Sequence, residues 1–220
     1  MSAARALLDS LGRPGDIRLG TARPDMLARL STGLPLLDEA LGGGLPRGRI
    51  TELAGRRSTG RTGLACAIAA YATAAGETIA WIDPADALDP DGAAKTGIEL
   101  SRTLWVRPRS TGDALRAAEI VLGAGGFGLV VLDLADVPAA APRRFPWTTW
   151  MRIARTVEGS ETAALLVGGE RIARSAGGVT IALVSVSPTW RGLTPRARLF
   201  TGLEVTPRVV GGRRVEGGRA

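Results

Sequence analysis

Residues 55–62 read Gly-Arg-Arg-Ser-Thr-Gly-Arg-Thr and constrain the fold more than any other stretch. They follow the glycine-rich phosphate loop G-x-x-x-x-G-K-[ST], with arginine in the place of lysine. Gly55 and Gly60 keep the spacing, Ser58 and Thr59 lie inside the loop, and Thr62 carries the hydroxyl that meets Mg²⁺ in such loops. A loop of this kind works between a buried strand and a helix N-terminus, where backbone N–H groups converge on an anion. The flanks comply. Ile50–Ala54 is a short buried strand candidate, and residues 63–75 are a helix of small apolar residues ending at Gly76.

The rest of the chain predicts alternating elements. Strands are expected at Thr78–Ile82, 103–107, 128–133, 162–167 and 179–186, with a terminal hairpin-like pair at 199–210. Helices are expected at 3–11, 31–42, 112–123 and 147–157, the third opened by Asp113 and the last with apolar residues at helical spacing. Such alternation gives an α/β fold with a mostly parallel sheet covered on both faces. The organisation is residues 1–30 as an N-terminal helix and linker, 31–210 as the core, and 211–220 as a glycine- and arginine-rich mobile tail.

Composition removes several chemistries. The 220 residues include no histidine and a single cysteine, Cys66, so histidine triads, zinc clusters and intrachain disulfides are excluded. No apolar run approaches the roughly 20 residues of a membrane helix, and a cytoplasmic protein is expected. The formal net charge is +7, which suits nucleic acid, an acidic partner or simply a soluble surface.

Asp133 ends the apolar strand 128–133, the position of a second acidic site that holds Mg²⁺ in phosphate-loop enzymes. The competing reading is a strand-end aspartate capping a turn. Arg61 keeps a positive charge in the lysine position but is planar and forked. It can pair with phosphate, or fill the pocket and exclude nucleotide.

Several segments in order resemble the RecA recombinase core: residues 31–62, residues 81–90 (WIDPADALDP) and residues 95–108 (KTGIELSRTLWVRP). The resemblance spans roughly residues 12–137 and implies a RecA-like P-loop core, without room for that family's C-terminal domain. It also exposes departures. The family's catalytic glutamate lies two residues after an aspartate matched by Asp83, and Ala85 stands there. An alanine cannot orient or deprotonate water, so with Arg61 the resemblance implies absent or very weak ATPase activity. Asp86, the next carboxylate, is expected to point elsewhere. The nucleotide-site residues Gly55, Ser58, Thr59, Gly60, Arg61 and Thr62, and the metal-site pair Thr62 and Asp133, then mark ancestry, with ATP and Mg²⁺ as the cofactors they once served or still hold.

The family's two DNA-binding loops are compressed here to residues 137–147 and 168–178. Arg143, Arg144, Arg171 and Arg174 are candidate phosphate contacts, with Phe145 and Trp147 available for stacking. Solvated loop charges and core-facing aromatics are the alternative. The family's switch glutamine falls near Glu170. A short, basic, RecA-like chain lacking the hydrolytic residues resembles the ImuA family. That resemblance implies a non-catalytic adaptor in damage-induced translesion synthesis. It implies contacts with a Y-family polymerase-like protein of the ImuB type, and RecA and DNA as further candidate partners. The alternatives are a nucleotide-binding RecA-like ATPase and a direct DNA-binding protein. The helix at 3–11 either packs on a neighbouring subunit or covers the chain's own sheet.

Overall fold

The computed structural model describes residues 28–173, 178–192 and 198–210. The expected helix 3–11 and the tail 211–220 lie outside the described residues. A seven-stranded sheet runs in the order β5-β4-β6-β7-β3-β8-β9. Its strands are β3 (Arg49–Ala54), β4 (Ile79–Ile82), β5 (Thr103–Val106), β6 (Leu129–Asp133), β7 (Ala163–Gly168), β8 (Val179–Arg191) and β9 (Leu199–Val210). All neighbours pair in parallel except β8 with β9. A separate two-stranded ribbon joins β1 (Arg29–Leu30) to β2 (Leu45–Pro46).

Strand alternation divides the core in two. Leu53, Ile79, Trp81, Leu129, Val131, Leu165 and Val167 face α1 (Pro35–Leu41), α2 (Arg61–Ala74) and α3 (Pro90–Lys95). Ile50, Ala80, Ile82, Val130, Leu132 and Leu166 face α4 (Thr111–Ala124) and α6 (Trp147–Val157). Both faces are therefore buried, which is why the central strands read as continuous apolar runs. A short α5 (Ala140–Arg143) lies between β6 and α6.

Three expected elements change shape. The helix expected at 31–42 begins only at Pro35. Gly33 has a φ of 74°, and a Cβ there would lie 2.4 Å from the Tyr71 ring, so the chain turns before the helix starts. Ser31 and Thr32 instead donate their hydroxyls to Asp38, both at 2.6 Å, and the Thr32 N–H donates to it at 2.8 Å. Burial raises the Asp38 carboxyl, but these bonds outweigh it and hold the group below its ordinary value. The hairpin expected within 199–210 is instead one strand. Its partner is β8, which runs five residues beyond the expected Val186. The helix expected at 112–123 starts at Thr111, because the Ser110 hydroxyl caps it by accepting from the Asp113 N–H at 3.1 Å.

Candidate functional site

β3 delivers the chain into the 55–62 loop at the C-terminal edge of the parallel strands. The Gly55 N–H donates to the Gly168 carbonyl at 3.2 Å, which ties the loop to the end of β7. Ser58 and Gly60 take left-handed φ values of 62° and 81°. Thr59 then folds back, and its N–H and hydroxyl both donate to the Arg56 carbonyl, at 3.3 and 2.8 Å. Gly55 is required by this closure, since a Cβ there would lie 2.4 Å from Thr59 Oγ1. The loop is a compact ring, and α2 starts from it at Arg61, two residues ahead of the expected helix.

Arg61 points into the ring and is 5% exposed. Its guanidinium donates to the Gly55 carbonyl at the loop's start and to the Ala135 carbonyl beyond β6. A planar fork can serve two acceptors in fixed directions, which a lysine ammonium does not reproduce.

Asp83 and Asp133 follow and end adjacent parallel strands, β4 and β6, where Ile82 pairs with Leu132. Strand alternation puts both carboxylates on the α2 side, where they are 1% and 6% exposed. Asp133 accepts from the Ala135 N–H, and Asp83 from the Leu88 N–H, each at 2.9 Å. Burial pushes the Asp133 carboxyl up to about 6. The Ala135 N–H opposes this, Asp83 and Asp136 add to it, and Arg61 opposes it. Burial, with the Asp133 charge behind it, likewise pushes the Cys66 thiol up to about 11.

Ala85 is exposed and offers only a methyl group. Asp86 takes a φ of 51° and turns its carboxylate to Arg107, 3.5 Å away, so it does not replace the missing glutamate.

These residues do not fit Mg–ATP in the way the loop pattern implies. Thr62 and Asp133 stand where the pattern puts metal ligands. The lysine's place is filled by a guanidinium already committed to protein carbonyls, the Thr59 N–H is spent within the loop, and position 85 has no carboxylate.

A second constellation lies on the α4–α6 side of the sheet. Arg143, Phe145, Trp147, Trp150, Arg171 and Ile172 line an open groove of about 420 Å³ together with Pro142 and Glu170. Sequence reasoning placed Arg143, Phe145 and Arg171 in two separate loops, and the fold brings them to one groove. Arg144 is exposed but does not line it, and Arg174 lies outside the described residues. Both rim arginines have acidic neighbours. Arg143 makes a forked pair with Glu170 through Nε and a terminal nitrogen. Arg171 Nε lies 3.9 Å from Glu52 Oε1.

Glu52 went unnoticed in the sequence. It is 3% exposed, on β3, and accepts the Ile172 and Ala173 N–H groups at 2.6 and 3.0 Å. Its one available signal was a charge inside the expected strand Ile50–Ala54, on the face opposite Leu53.

Strand, glycine ring, helix and the two strand-end carboxylates define a P-loop α/β protein, with its loop occupied by its own arginine. The RecA N-terminal domain model matches residues 2–144. The chain belongs to the RecA N-terminal domain family. Protein RecA of Nocardia farcinica is 40% identical over 135 residues, which is 61% of this chain and 38% of that protein. Protein RecA of Paenarthrobacter aurescens is 39% identical over 145 residues, 65% of this chain and 41% of that protein. For Protein RecA of Mycobacterium tuberculosis strain H37Rv, the figures are 40% over 135 residues, 61% of this chain and 17% of that protein. The matched stretch thus spans well under half of these relatives. Among the described residues, no helix is long and apolar enough to cross a membrane.

Proposed function

We propose that this chain is a non-catalytic RecA-like adaptor of the ImuA type, acting in DNA-damage-induced translesion synthesis. It works through contacts with a Y-family polymerase-like protein, with RecA as a second partner. One observation carries the non-catalytic part: the Arg61 guanidinium lies inside the phosphate loop, bonded to the Gly55 and Ala135 carbonyls. A nucleotide would have to displace a buried cation from two carbonyl acceptors, and each such charge-assisted bond contributes on the order of 1.5–3 kcal/mol. Ala85 supports the same reading, because it leaves no base for an attacking water.

What remains is a RecA-like body with a net charge of +7 and an exposed aromatic residue at Trp147, a surface an adaptor can use. The polymerase partner is supported by the resemblance of this basic RecA-like chain, with Arg61 and Ala85 in the positions of the hydrolytic lysine and glutamate, to the ImuA family. A titration with ATP and ADP, with and without Mg²⁺, run beside a turnover assay and capture of the polymerase-like partner, tests the reading. The expected result is partner capture with neither tight nucleotide binding nor turnover. Sustained ATP hydrolysis that Thr62→Ala abolishes would establish the ATPase alternative instead.

A further inference from the structure

The groove between α5, the start of α6 and residues 170–172 gathers three of the chain's nine aromatic residues (three Phe, five Trp and one Tyr in all). Trp150 forms part of its base and is 3% exposed, Phe145 packs into the same core cluster, and Trp147 stands at the lip with 47% of its surface in solvent. Half-exposed tryptophan beside buried aromatic neighbours is a common anchor point of protein interfaces.

The groove's charge decides between kinds of occupant. A nucleic-acid strand gains affinity chiefly by releasing counterions as free lysines and arginines take up its phosphates. Here Arg143 is forked onto Glu170, and Arg171 lies against the buried Glu52. A phosphate would have to compete with both carboxylates and would meet Glu170 inside the groove. An uncharged, apolar chain meets no such opposition. The remaining guanidinium N–H groups and carboxylate lone pairs can receive its backbone C=O and N–H, while a large apolar side chain packs on Trp147.

We propose that this groove is a docking site for an extended segment of the partner protein, uncharged at its centre and carrying a large apolar anchor that seats against Trp147. The proposal rests on the adaptor reading above. The test measures affinity of the full chain for the polymerase-like partner, using Trp147→Ala and the distant control Leu36→Ala. Leu36 is 82% exposed on α1, on the other side of the sheet. A single-stranded (dT)20 oligonucleotide at low salt serves as the second probe.

Trp147→Ala should weaken partner binding roughly ten-fold or more, with the variant melting somewhat lower but still fully folded at the assay temperature, while Leu36→Ala binds as the unaltered chain does. Partner binding unchanged by Trp147→Ala overturns the groove proposal and leaves the adaptor reading standing. Failure of the unaltered chain to bind the partner removes both. A variant that loses (dT)20 binding and keeps the partner also overturns the proposal, in favour of nucleic acid. The pair swap Arg143→Glu with Glu170→Arg keeps the groove near neutral and should retain partner binding. Loss in the swapped protein, if it melts normally, counts against the neutral-groove argument.

Discussion

The guanidinium of Arg61 donates to the carbonyl of Ala135, 74 residues further along the chain. With its bond to Gly55, this makes Arg61 a strut between the phosphate loop and the segment leaving β6. The position a nucleotide-binding lysine would hold has thus become part of the protein's own hydrogen-bonding. Arg61→Ala leaves two buried carbonyls unserved and should cost about 2–4 kcal/mol of stability. Arg61→Lys should restore one bond and cost about 1–2 kcal/mol. It should not start ATP hydrolysis, because position 85 still has no carboxylate. Urea unfolding and a coupled ATPase assay check both. Substantial turnover by the lysine variant would refute the account of the site.

Asp133 gives the stability a pH dependence. Its folded carboxyl is raised to about 6, above the ordinary value of 3.8, so the folded state favours the protonated form. Its contribution is fully present below the unfolded value and is lost as pH rises through about 6. Asp133→Asn should therefore gain relative to the parent between pH 4 and pH 8, by about 2–3 kcal/mol across that range. Denaturant unfolding of both proteins at pH 4.5 and 8 reads this directly. A constant difference between them would show that the carboxyl does not titrate in that window.

Much of the fold could be read because strand and helix patterns are local. The run Leu129–Asp133 and the glycines at 55 and 60 announce themselves by spacing alone. The helix start at Pro35 and the pairing of β9 with β8 could not be read that way. The first depends on Tyr71 lying against Gly33, and the second on a partner strand elsewhere in the chain. The site divides in the same manner. The residues of the loop are a motif. Arg61 turning inward onto Ala135 is a tertiary contact, and the sequence left both of its outcomes open. Glu52 was hidden because a charged residue in a strand usually marks a solvent face, whereas here it serves backbone N–H groups 120 residues away.

Cys66 should be chemically silent in the folded protein. It is buried on α2, and burial with the neighbouring Asp133 charge raises its thiol to about 11, so little thiolate exists at neutral pH. A disulfide reagent such as Ellman's should react negligibly with the native chain at pH 8 and stoichiometrically after unfolding in urea. Rapid native-state reaction would mean that α2 opens readily from the sheet.

Glu52 links the strand that feeds the phosphate loop to the chain that leaves β7. Its carboxylate accepts two consecutive N–H groups, Ile172 and Ala173, and is almost fully enclosed. Removing it leaves the buried Ala173 N–H and the half-buried Ile172 N–H without their acceptor and takes away the carboxylate beside Arg171. Glu52→Ala should therefore cost about 2–4 kcal/mol. Glu52→Gln, which keeps one carbonyl acceptor and the volume, should cost less. The local signature separates this from a general loss of packing. Hydrogen exchange at the 172 and 173 amides should accelerate more than at amides in the centre of β6, whose ladder bonds do not involve Glu52. Because residues 170–172 also form one wall of the aromatic groove, the same variant should weaken partner binding while leaving the 55–62 loop intact. Equal acceleration of exchange throughout the sheet would show that Glu52 acts on global stability alone.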